Sequence, residues 1–414
     1  MNQLTEMMDL ATVAFLLSPV AQDALTRLQA ADLAEGQTLA LLQPLRRQFT
    51  AVEAGALLSL ARLRQRATSK FPKAAHLFFT AEALEQATAW PIAQWRAAWI
   101  DQQAPPGPLL DLGCGIGGDL LALAQRRRVI AFETDPVRLR LAEANVAAFG
   151  LQEQVQFIQA DWTQWLAADT LPAAAAAFAD PARRVEGRRI FTVEAMQPPL
   201  SRLLQLQKRL PHVGVKTMPG IADEEIPANS GVEFISHEGV CKEAILWFGA
   251  LVKHSRWASV YIENEWVSLP GDREQKPPVG ALAAGYYLHE PDPALIRAGA
   301  FLELCRQLQA HLLDPQIAYL VSAEAKTHPL VQSFVIHEVH SFNLKLLNHR
   351  LQRLGYHIVE LKKRGVPFQP EELRPRLKLP TTGKPGVVIF TRRGDERLML
   401  IGERVLLGNR EIGK

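Results

Sequence analysis

A glycine-rich turn between a short apolar run and a helical segment is the feature of this 414-residue chain that most restricts its fold. Residues 109–124 read LLDLGCGIGGDLLALA. Glycines let the backbone turn sharply between a strand and the following helix, and they leave the first amide groups of that helix open to a ligand. The pattern predicts a parallel α/β sheet with a small-molecule site at the turn.

Short apolar runs alternate with amphipathic helical segments from residue 109 to residue 249. Such alternation is typical of a mostly parallel sheet with crossover helices, so the predicted fold class is α/β. The runs predicted as strands are LLDLG, VIAFE, VQFIQAD, AAFADP, HVGVKTMPG, VEFISH and AILWFG, and the first two helices between them are DLLALAQRR and PVRLRLAEANVAAFG.

The chain is too long for one ordinary core and divides by composition. Residues 1–104 predict a helical domain that ends in the linker QQAPPGP, and residues 105–270 predict the α/β domain. After a Pro/Gly-rich loop, residues 281–327 and 328–414 predict an α+β module. The first apolar run lacks a basic flank and stops at Pro19, so neither a signal peptide nor a membrane span is expected.

The glycine turn fits two templates, and charge separates them. Gly113, Gly115 and Gly118 match the dinucleotide pattern GxGxxG, whereas Gly113, Gly115 and Gly117 preceded by Asp111 match the DxGxGxG of S-adenosylmethionine (SAM) methyltransferases. A dinucleotide would bring an anionic pyrophosphate towards the carboxylate of Asp111. SAM has no phosphate but an ammonium and a cationic sulfur, so the acid favours SAM as the cofactor.

Two further acids end predicted strands at suitable distances. Glu133 lies 22 residues after Asp111, where a carboxylate can accept both ribose hydroxyls, and Asp161 lies another 28 residues on, where it can accept the adenine amino group. Each acid alone could be a helix N-cap or a solvated acid in a turn, which is the interpretation preferred for Asp135. The three strand-terminal acids together predict the SAM site.

The run from Asp111 to Asp161 resembles the class I SAM-dependent methyltransferases. The whole chain resembles bacterial class I methyltransferases with an N-terminal helical region, a ferredoxin-like segment (281–327) and a C-terminal THUMP-like domain (328–414). That resemblance implies a Rossmann-like methyltransferase sheet, and THUMP domains bind RNA. The segments that carry the closer match are KFPKAAHLFFTAEALEQAT, FADPARR, GVKTMPG, CKEAILWFG, YYLHEPDPALIRAG and LKKRG.

The loop DPARR after the fourth predicted strand is the candidate acceptor site, because parallel sheets bind ligands at the carboxyl ends of their strands. Asp180 can accept a hydrogen bond from the methyl acceptor, and Pro181 stiffens the loop. Amino-methylating families usually carry Asp/Asn/Ser-Pro-Pro-aromatic here, whereas this chain has Ala182 and Arg183. Arg183 can stack on a base or bind a phosphate; alternatively, Arg183 and Arg184 form surface ion pairs.

Lys216 and Glu243 are further candidates for the acceptor pocket, with structural ion pairs as the equal alternative. The segment LFFTAEALEQAT is a candidate lid, although its two phenylalanines are expected in the core. The chain has three widely separated cysteines, Cys114, Cys241 and Cys305. No disulfide framework, metal site or iron–sulfur cluster is therefore expected, and we expect a cytoplasmic location. None of the cysteines lies in the acceptor loop, which disfavours C5 methylation of pyrimidines.

Positive charge is concentrated at the C-terminal end. Residues 328–414 carry 16 Lys and Arg against 8 Asp and Glu, although the whole chain has a net charge of only +3. Such asymmetry is typical of a nucleic-acid-binding appendage, with a solubilising surface as the alternative. The basic side chains expected to contact phosphates are Lys362, Lys363, Arg364, Arg374, Arg376 and Lys378.

These observations predict a SAM-dependent methyltransferase that modifies nitrogen or oxygen atoms of RNA, either tRNA or rRNA, which its basic C-terminal domain binds. The first alternative is a methyltransferase acting on a protein or a small molecule, for which the basic end would be dispensable. The second is a non-catalytic SAM- or RNA-binding protein, which would bind SAM without turnover.

Overall fold

The computed structural model describes residues 8–182, 184–185, 188–189 and 192–405. These residues form two compact units. The first comprises the chain up to Gly231 together with Ile245–Lys253, and the second comprises Val232–Ala244 together with the chain from His254 onwards. Within the described ranges, no helix combines the length and hydrophobicity that crossing a membrane requires.

The N-terminal part of the first unit is helical, as predicted. Thr50 and Glu53 form a capping box that starts the longest of these helices. Pro44 lies within the last turn of the third helix, which ends one residue later. The helices are α1 (Leu10–Leu17), α2 (Pro19–Gln29), α3 (Thr38–Leu45), α4 (Ala51–Ala67), α5 (Ala81–Gln86) and α6 (Trp90–Gln103).

The predicted parallel α/β sheet follows these helices. Its strands are β1 (Leu109–Leu112), β2 (Val129–Glu133), β3 (Val155–Gln159), β4 (Ala176–Ala179) and β7 (Val213–Thr217), in the order β3-β2-β1-β4-β7 with every pair parallel. The connecting elements are α7 (Leu120–Ala124), α8 (Pro136–Phe149), α9 (Trp162–Ala167), the short strands β5 (Arg184–Val185) and β6 (Arg188–Arg189), and α10 (Leu200–Arg209).

This parallel order brings the carboxyl ends of β1, β2 and β4 to one edge of the sheet. The residues of β1 and β4 are all buried, because helices cover both faces of such a sheet. A strand after β7, β9 (Val240–Phe248), contributes its last residues to the same sheet. A Cβ atom at Gly214 would lie 2.6 Å from Trp247 of that strand, so glycine is required for this close packing.

The second unit contains β8 (Ser230–His237), the first part of β9, β10 (Arg256–Ile262) and β11 (Glu265–Pro270), in the order β11-β10-β8-β9. A seven-stranded sheet follows, in the order β13-β14-β12-β15-β18-β17-β16. Its elements are β12 (Tyr287–Pro291), α11 (Pro293–Ala298), α12 (Phe301–Leu308), β13 (His311–Asp314), β14 (Ile317–Ser322), β15 (Val331–Ser341), α13 (Leu344–Arg353), β16 (Tyr356–Lys363), α14 (Pro370–Leu373), β17 (Lys384–Arg393) and β18 (Glu396–Arg404).

One predicted helix of the second unit is different in the structure. The run IRAGAFLELCRQLQAHL spans the end of α11, all of α12 and the start of β13. Gly299 separates the two helices because it takes the left-handed conformation, with φ of 72°. Segment 281–327 therefore contributes three strands to the same sheet as the basic C-terminal region.

Candidate active site

The glycine turn after β1 has the backbone geometry of only one of the two sequence templates. Gly113, Gly115 and Gly117 have φ of 92°, 56° and 95°, which L side chains rarely adopt. Gly118 has no such conformation, and a Cβ added there would meet its neighbours at ordinary contact distances. The glycines that the backbone requires are therefore those of the DxGxGxG pattern.

Asp111 lies within β1 and is only 2% exposed. Its Oδ2 atom has no hydrogen-bond partner within the described residues. Burial, together with the nearby carboxylates of Asp119 and Asp180, raises the pKa of Asp111 well above its usual range, although Arg96 opposes this. An unpaired buried acceptor is costly unless a donor or a cation reaches it. The site thus presents an acceptor that lacks a partner.

Glu133 ends β2 and fixes the shape of the glycine turn. Its Oε2 accepts the backbone N–H of Gly115 at 2.8 Å, while its Oε1 accepts those of Thr134 and Asp135 at 2.9 and 3.0 Å. A carboxylate oxygen can accept two hydrogen bonds. Oε2 therefore retains capacity for one more donor beside the turn.

Asp161 and Asp135 both cap helices. Asp135 Oδ1 accepts the N–H groups of Val137 and Arg138 at the start of α8, which confirms the prediction for this residue. Asp161 Oδ1 accepts the N–H and hydroxyl of Thr163 at the start of α9. Both of these bonds use the same oxygen of Asp161, so capping does not occupy Oδ2.

The acceptor loop follows β4 directly, beside the glycine turn. The side chain of Asp180 is 32% exposed, and its Oδ2 accepts a hydrogen bond of 2.7 Å from Lys216 Nζ on β7. Ala182 exchanges two backbone hydrogen bonds with Gln197, of 2.8 and 3.1 Å, and so holds the loop. Pro181 is buried, and Arg183 lies outside the described residues.

Lys216 belongs to a buried polar network that the sequence analysis did not predict. Its Nζ also donates to Thr88 Oγ1 at 2.9 Å, and that hydroxyl donates to Asp119 Oδ2 at 2.9 Å. The other oxygen of Asp119 pairs with Arg96, which is fully buried and lies over the ring of Phe178. The network joins α6 to the acceptor loop. Asp180 and Lys216 were candidates from the sequence, whereas Thr88 and Arg96 were not, and the acid in GIGGD is the signal for Asp119.

Family models match three parts of the chain. A model described as a methyltransferase domain matches residues 109–183, and one described as THUMP domain-like matches residues 331–404. A third, described as a domain of unknown function, matches residues 9–67. The first of these covers the glycine turn and the start of the acceptor loop.

Relatives extend the match over most of the chain. Proteins of two Mycobacterium tuberculosis strains, CDC 1551 / Oshkosh and ATCC 25618 / H37Rv, are 34% identical over 344 residues, which cover 80% of this chain and 91% of theirs. Both are named uncharacterized SAM-dependent methyltransferases. The chain belongs to the SAM-dependent methyltransferases. Its fold is also that of a crystal structure from Porphyromonas gingivalis W83, assigned as a methyltransferase, with a TM-score of 0.70, 19% identity and coverage of 90% of this chain and 99% of that one.

The residues at the turn of this methyltransferase fit SAM. The unpartnered buried oxygen of Asp111 suits a cationic ammonium, which would remove the cost of its burial. Apart from Gly115 and its two chain neighbours, no atom of the described residues lies within 4 Å of the place where a Cβ of Gly115 would stand, so the turn offers open space to a ligand. No cluster of His, Cys, Asp or Glu arranged to hold a metal ion is found among the residues that the structure describes.

The remaining candidate residues lie in different parts of the structure. Both phenylalanines of LFFTAEALEQAT are buried, which confirms that they are core residues. Glu243 is buried on β9, in the part of that strand that belongs to the second unit. The three cysteines are free, and burial raises the pKa of Cys114 well above its usual range, which makes its thiol a poor nucleophile.

The turn geometry predicts that two neighbouring glycines of the methyltransferase respond differently to alanine. Gly117→Ala is expected to lower the free energy of unfolding by about 1–2 kcal/mol, because its φ is unfavourable for any L side chain. Gly118→Ala is expected to cost less than about 0.5 kcal/mol or to stabilise, since its Cβ has room. Urea denaturation of both variants measures the difference, and equal losses would contradict the assignment.

Proposed function

We propose that this methyltransferase modifies nitrogen or oxygen atoms of RNA, either tRNA or rRNA. The supporting observation is that the THUMP domain-like match, residues 331–404, falls in the region with twice as many basic as acidic residues. THUMP domains bind RNA, and a positive domain attracts a polyanion through its phosphates. The absence of a cysteine from the acceptor loop favours N- or O-methylation over methylation at pyrimidine C5.

In this proposal four elements hold the cofactor, whose sulfonium supplies the methyl group. Asp111 accepts the methionine ammonium, and the turn of Gly113, Gly115 and Gly117 lets the ligand approach the backbone. Glu133 Oε2 accepts a ribose hydroxyl, and Asp161 Oδ2 accepts the adenine amino group. Each assignment uses an oxygen that the fold leaves with hydrogen-bonding capacity.

Asp180 orients the acceptor atom in this proposal. Its Oδ2 is held by the ammonium of Lys216, so Oδ1 is the atom that accepts an N–H or O–H of the substrate. Asp180 therefore acts in this proposal as a hydrogen-bond acceptor that is held in place by a buried cation. Holding the acceptor in line with the methyl group supplies most of the rate enhancement. Pro181 stiffens the loop, and Arg183 contacts the base or its phosphate.

Methyl transfer to RNA tests the proposal directly. We expect radiolabelled SAM to label one size class of total RNA from a strain that lacks the gene, and to leave total protein from that strain unlabelled. An Asp180→Ala variant at the same concentration is the control for contaminating activities. Label in protein alone would indicate a protein methyltransferase, and SAM binding without label would indicate a non-catalytic protein; either result contradicts the proposal.

A further inference from the structure

The basic side chains of the C-terminal sheet include two groups that differ in their partners. The first group is paired with acids: Lys362 of β16 and Arg364, just beyond that strand, both bind Glu290, at 2.5 and 3.1 Å. Their charges are locally neutralised and hold strands together, so Lys362 and Arg364 are not the free phosphate contacts that the sequence predicted. Further pairs are Lys384 with Glu403, Arg404 with Glu360, Arg393 with Glu396 and, from α13, Arg350 with Glu338.

The second group lies on the segment after α14. Arg374, Arg376 and Lys378 are exposed, and none of them forms an ion pair within the described ranges. Two hydrogen bonds from Asn348 of α13 hold this segment: its Nδ2 donates to the carbonyl of Arg376 at 3.1 Å, and its Oδ1 accepts the N–H of Lys378 at 2.8 Å. The backbone is therefore fixed while the side chains of Arg376 and Lys378 stay in solvent, and Arg374 Nη1 donates to the carbonyl of Val359 at 3.4 Å.

α13 adds a cation beside that segment. Lys345 precedes Asn348 by three residues, so the two lie on the same face of the helix. Lys345 is exposed and forms no ion pair in the described part of the chain. We call the surface formed by Lys345, Arg374, Arg376 and Lys378 the basic ridge.

An exposed aromatic ring lies at the start of α13. Phe342 precedes the N-cap residue Asn343 and is 36% exposed. Its ring contacts those of Phe368 and Phe390, with centroids 5.1 and 5.7 Å away, which fixes its orientation. Phe390 belongs to the apolar cluster under α13, so the ring lies on the same side of the sheet as the helix. A ring that is held in place by its neighbours and 36% exposed is suited to stacking on a base.

We propose that the basic ridge and Phe342 bind a single-stranded segment of the substrate RNA, an inference that rests on the proposed function. Unpaired cations on a fixed backbone contact successive phosphates, and the ring of Phe342 stacks on one unpaired base. Proteins bind single-stranded nucleic acids by combining phosphate contacts with stacking of bases on aromatic rings. In a duplex the base faces are already stacked on one another, so no base face is available to Phe342.

The test is binding of a fluorescein-labelled single-stranded RNA of mixed sequence, about twelve nucleotides long, to the full chain. An Arg376→Ala/Lys378→Ala variant is expected to lower the slope of log affinity against log salt by about 1.4, since each phosphate contact of a single strand contributes about 0.7. Between about 50 and 200 mM salt the parent then loses about sevenfold more affinity than the variant does. Phe342→Leu, which keeps the packing but not the ring, is expected to lower affinity at least about fivefold.

Control variants separate the effects of the basic ridge and Phe342 on RNA binding from a nonspecific effect of lost charge. Arg46→Ala/Arg47→Ala removes the same charge from two exposed residues of the first unit and should leave the slope unchanged. A duplex of the same sequence should bind the parent and Phe342→Leu equally. An unchanged slope for Arg376→Ala/Lys378→Ala, or competition by poly-glutamate as effective as that by RNA, would overturn the proposal, the latter in favour of an acidic protein partner.

Failure of the basic-ridge inference can be distinguished from failure of the proposed function. Methyl transfer into RNA with unaltered binding by the ridge variants would refute the ridge and leave the RNA methyltransferase intact. Ridge-dependent RNA binding without methyl transfer into any RNA fraction would refute the function and leave the ridge as an RNA-binding surface.

Discussion

An Asp111→Ala variant is expected to lose at least about 100-fold in affinity for SAM, measured by isothermal titration calorimetry. The carboxylate is buried and its Oδ2 has no partner among the described residues, so a bound ammonium would be its only counter-ion at that atom. Removing one partner of a buried charge pair typically costs about 3–5 kcal/mol, and about 1.4 kcal/mol corresponds to tenfold in affinity. Retained tight binding would refute the assignment of the cofactor site.

Asp111→Asn supplies the control for folding. Because burial raises the pKa of Asp111, the folded protein holds that proton more tightly than the unfolded chain does. The parent therefore loses stability as the pH rises from about 4, the usual pKa of this carboxyl, towards the raised value in the fold. Asparagine does not titrate, so this variant should be more stable than the parent at neutral pH and equally stable below about pH 4.

The two variants together separate binding from stability. A more stable Asp111→Asn protein that no longer binds SAM cannot have lost binding by unfolding. Asp135→Ala is the matched acid control: it should lower stability by about 1 kcal/mol through the lost helix cap and should still bind SAM. A loss of SAM binding by Asp135→Ala equal to that by Asp111→Ala would contradict a specific role for Asp111.

Apolar patterning predicted β1 and β4 because those strands are buried on both faces. β1 and β4 contain almost only apolar residues, which can be recognised without knowledge of their neighbours. β12 was not predicted, because it carries buried polar groups. His289 is fully buried between the hydroxyls of Ser333 and Ser322. Glu290 pairs with Lys362 and Arg364. Those partners come from distant parts of the chain, so no local pattern marks the strand.

The acids of the cofactor site could be predicted because they lie on recognisable strands, whereas the buried polar network around Asp119 could not. Asp111 and Glu133 end or lie within recognisable strands, and a parallel sheet brings such ends together. Thr88 and Arg96 reach Asp119 from the helical region, 31 and 23 residues away in sequence. Thr88 ends the segment KFPKAAHLFFTAEALEQAT and Arg96 lies beyond it. No local pattern marks either residue as a partner of Asp119, and only the packing of α6 beside the glycine turn brings them there.

Lys216→Met is expected to lower kcat for RNA methylation about 100-fold while leaving the Kd for SAM within about threefold of the parent. The ammonium holds Asp180 Oδ2, so its loss frees the carboxylate to rotate and misplaces the acceptor atom. Lys216 touches no reacting atom in the proposed mechanism and is a positioning residue. Lys216→Arg, which keeps a cationic donor, should restore part of kcat, and Lys208→Met at an exposed site of α10 should change nothing.

A double-variant cycle decides whether Lys216 acts through Asp180. Asp180→Ala alone is expected to lower kcat about 100-fold, since the acceptor atom loses the hydrogen bond that positions it. If Lys216 works only by holding Asp180, adding Lys216→Met to Asp180→Ala should cause no further loss in kcat. Multiplicative losses would show that Lys216 contributes through Thr88 and Asp119 instead, because those contacts survive the removal of Asp180.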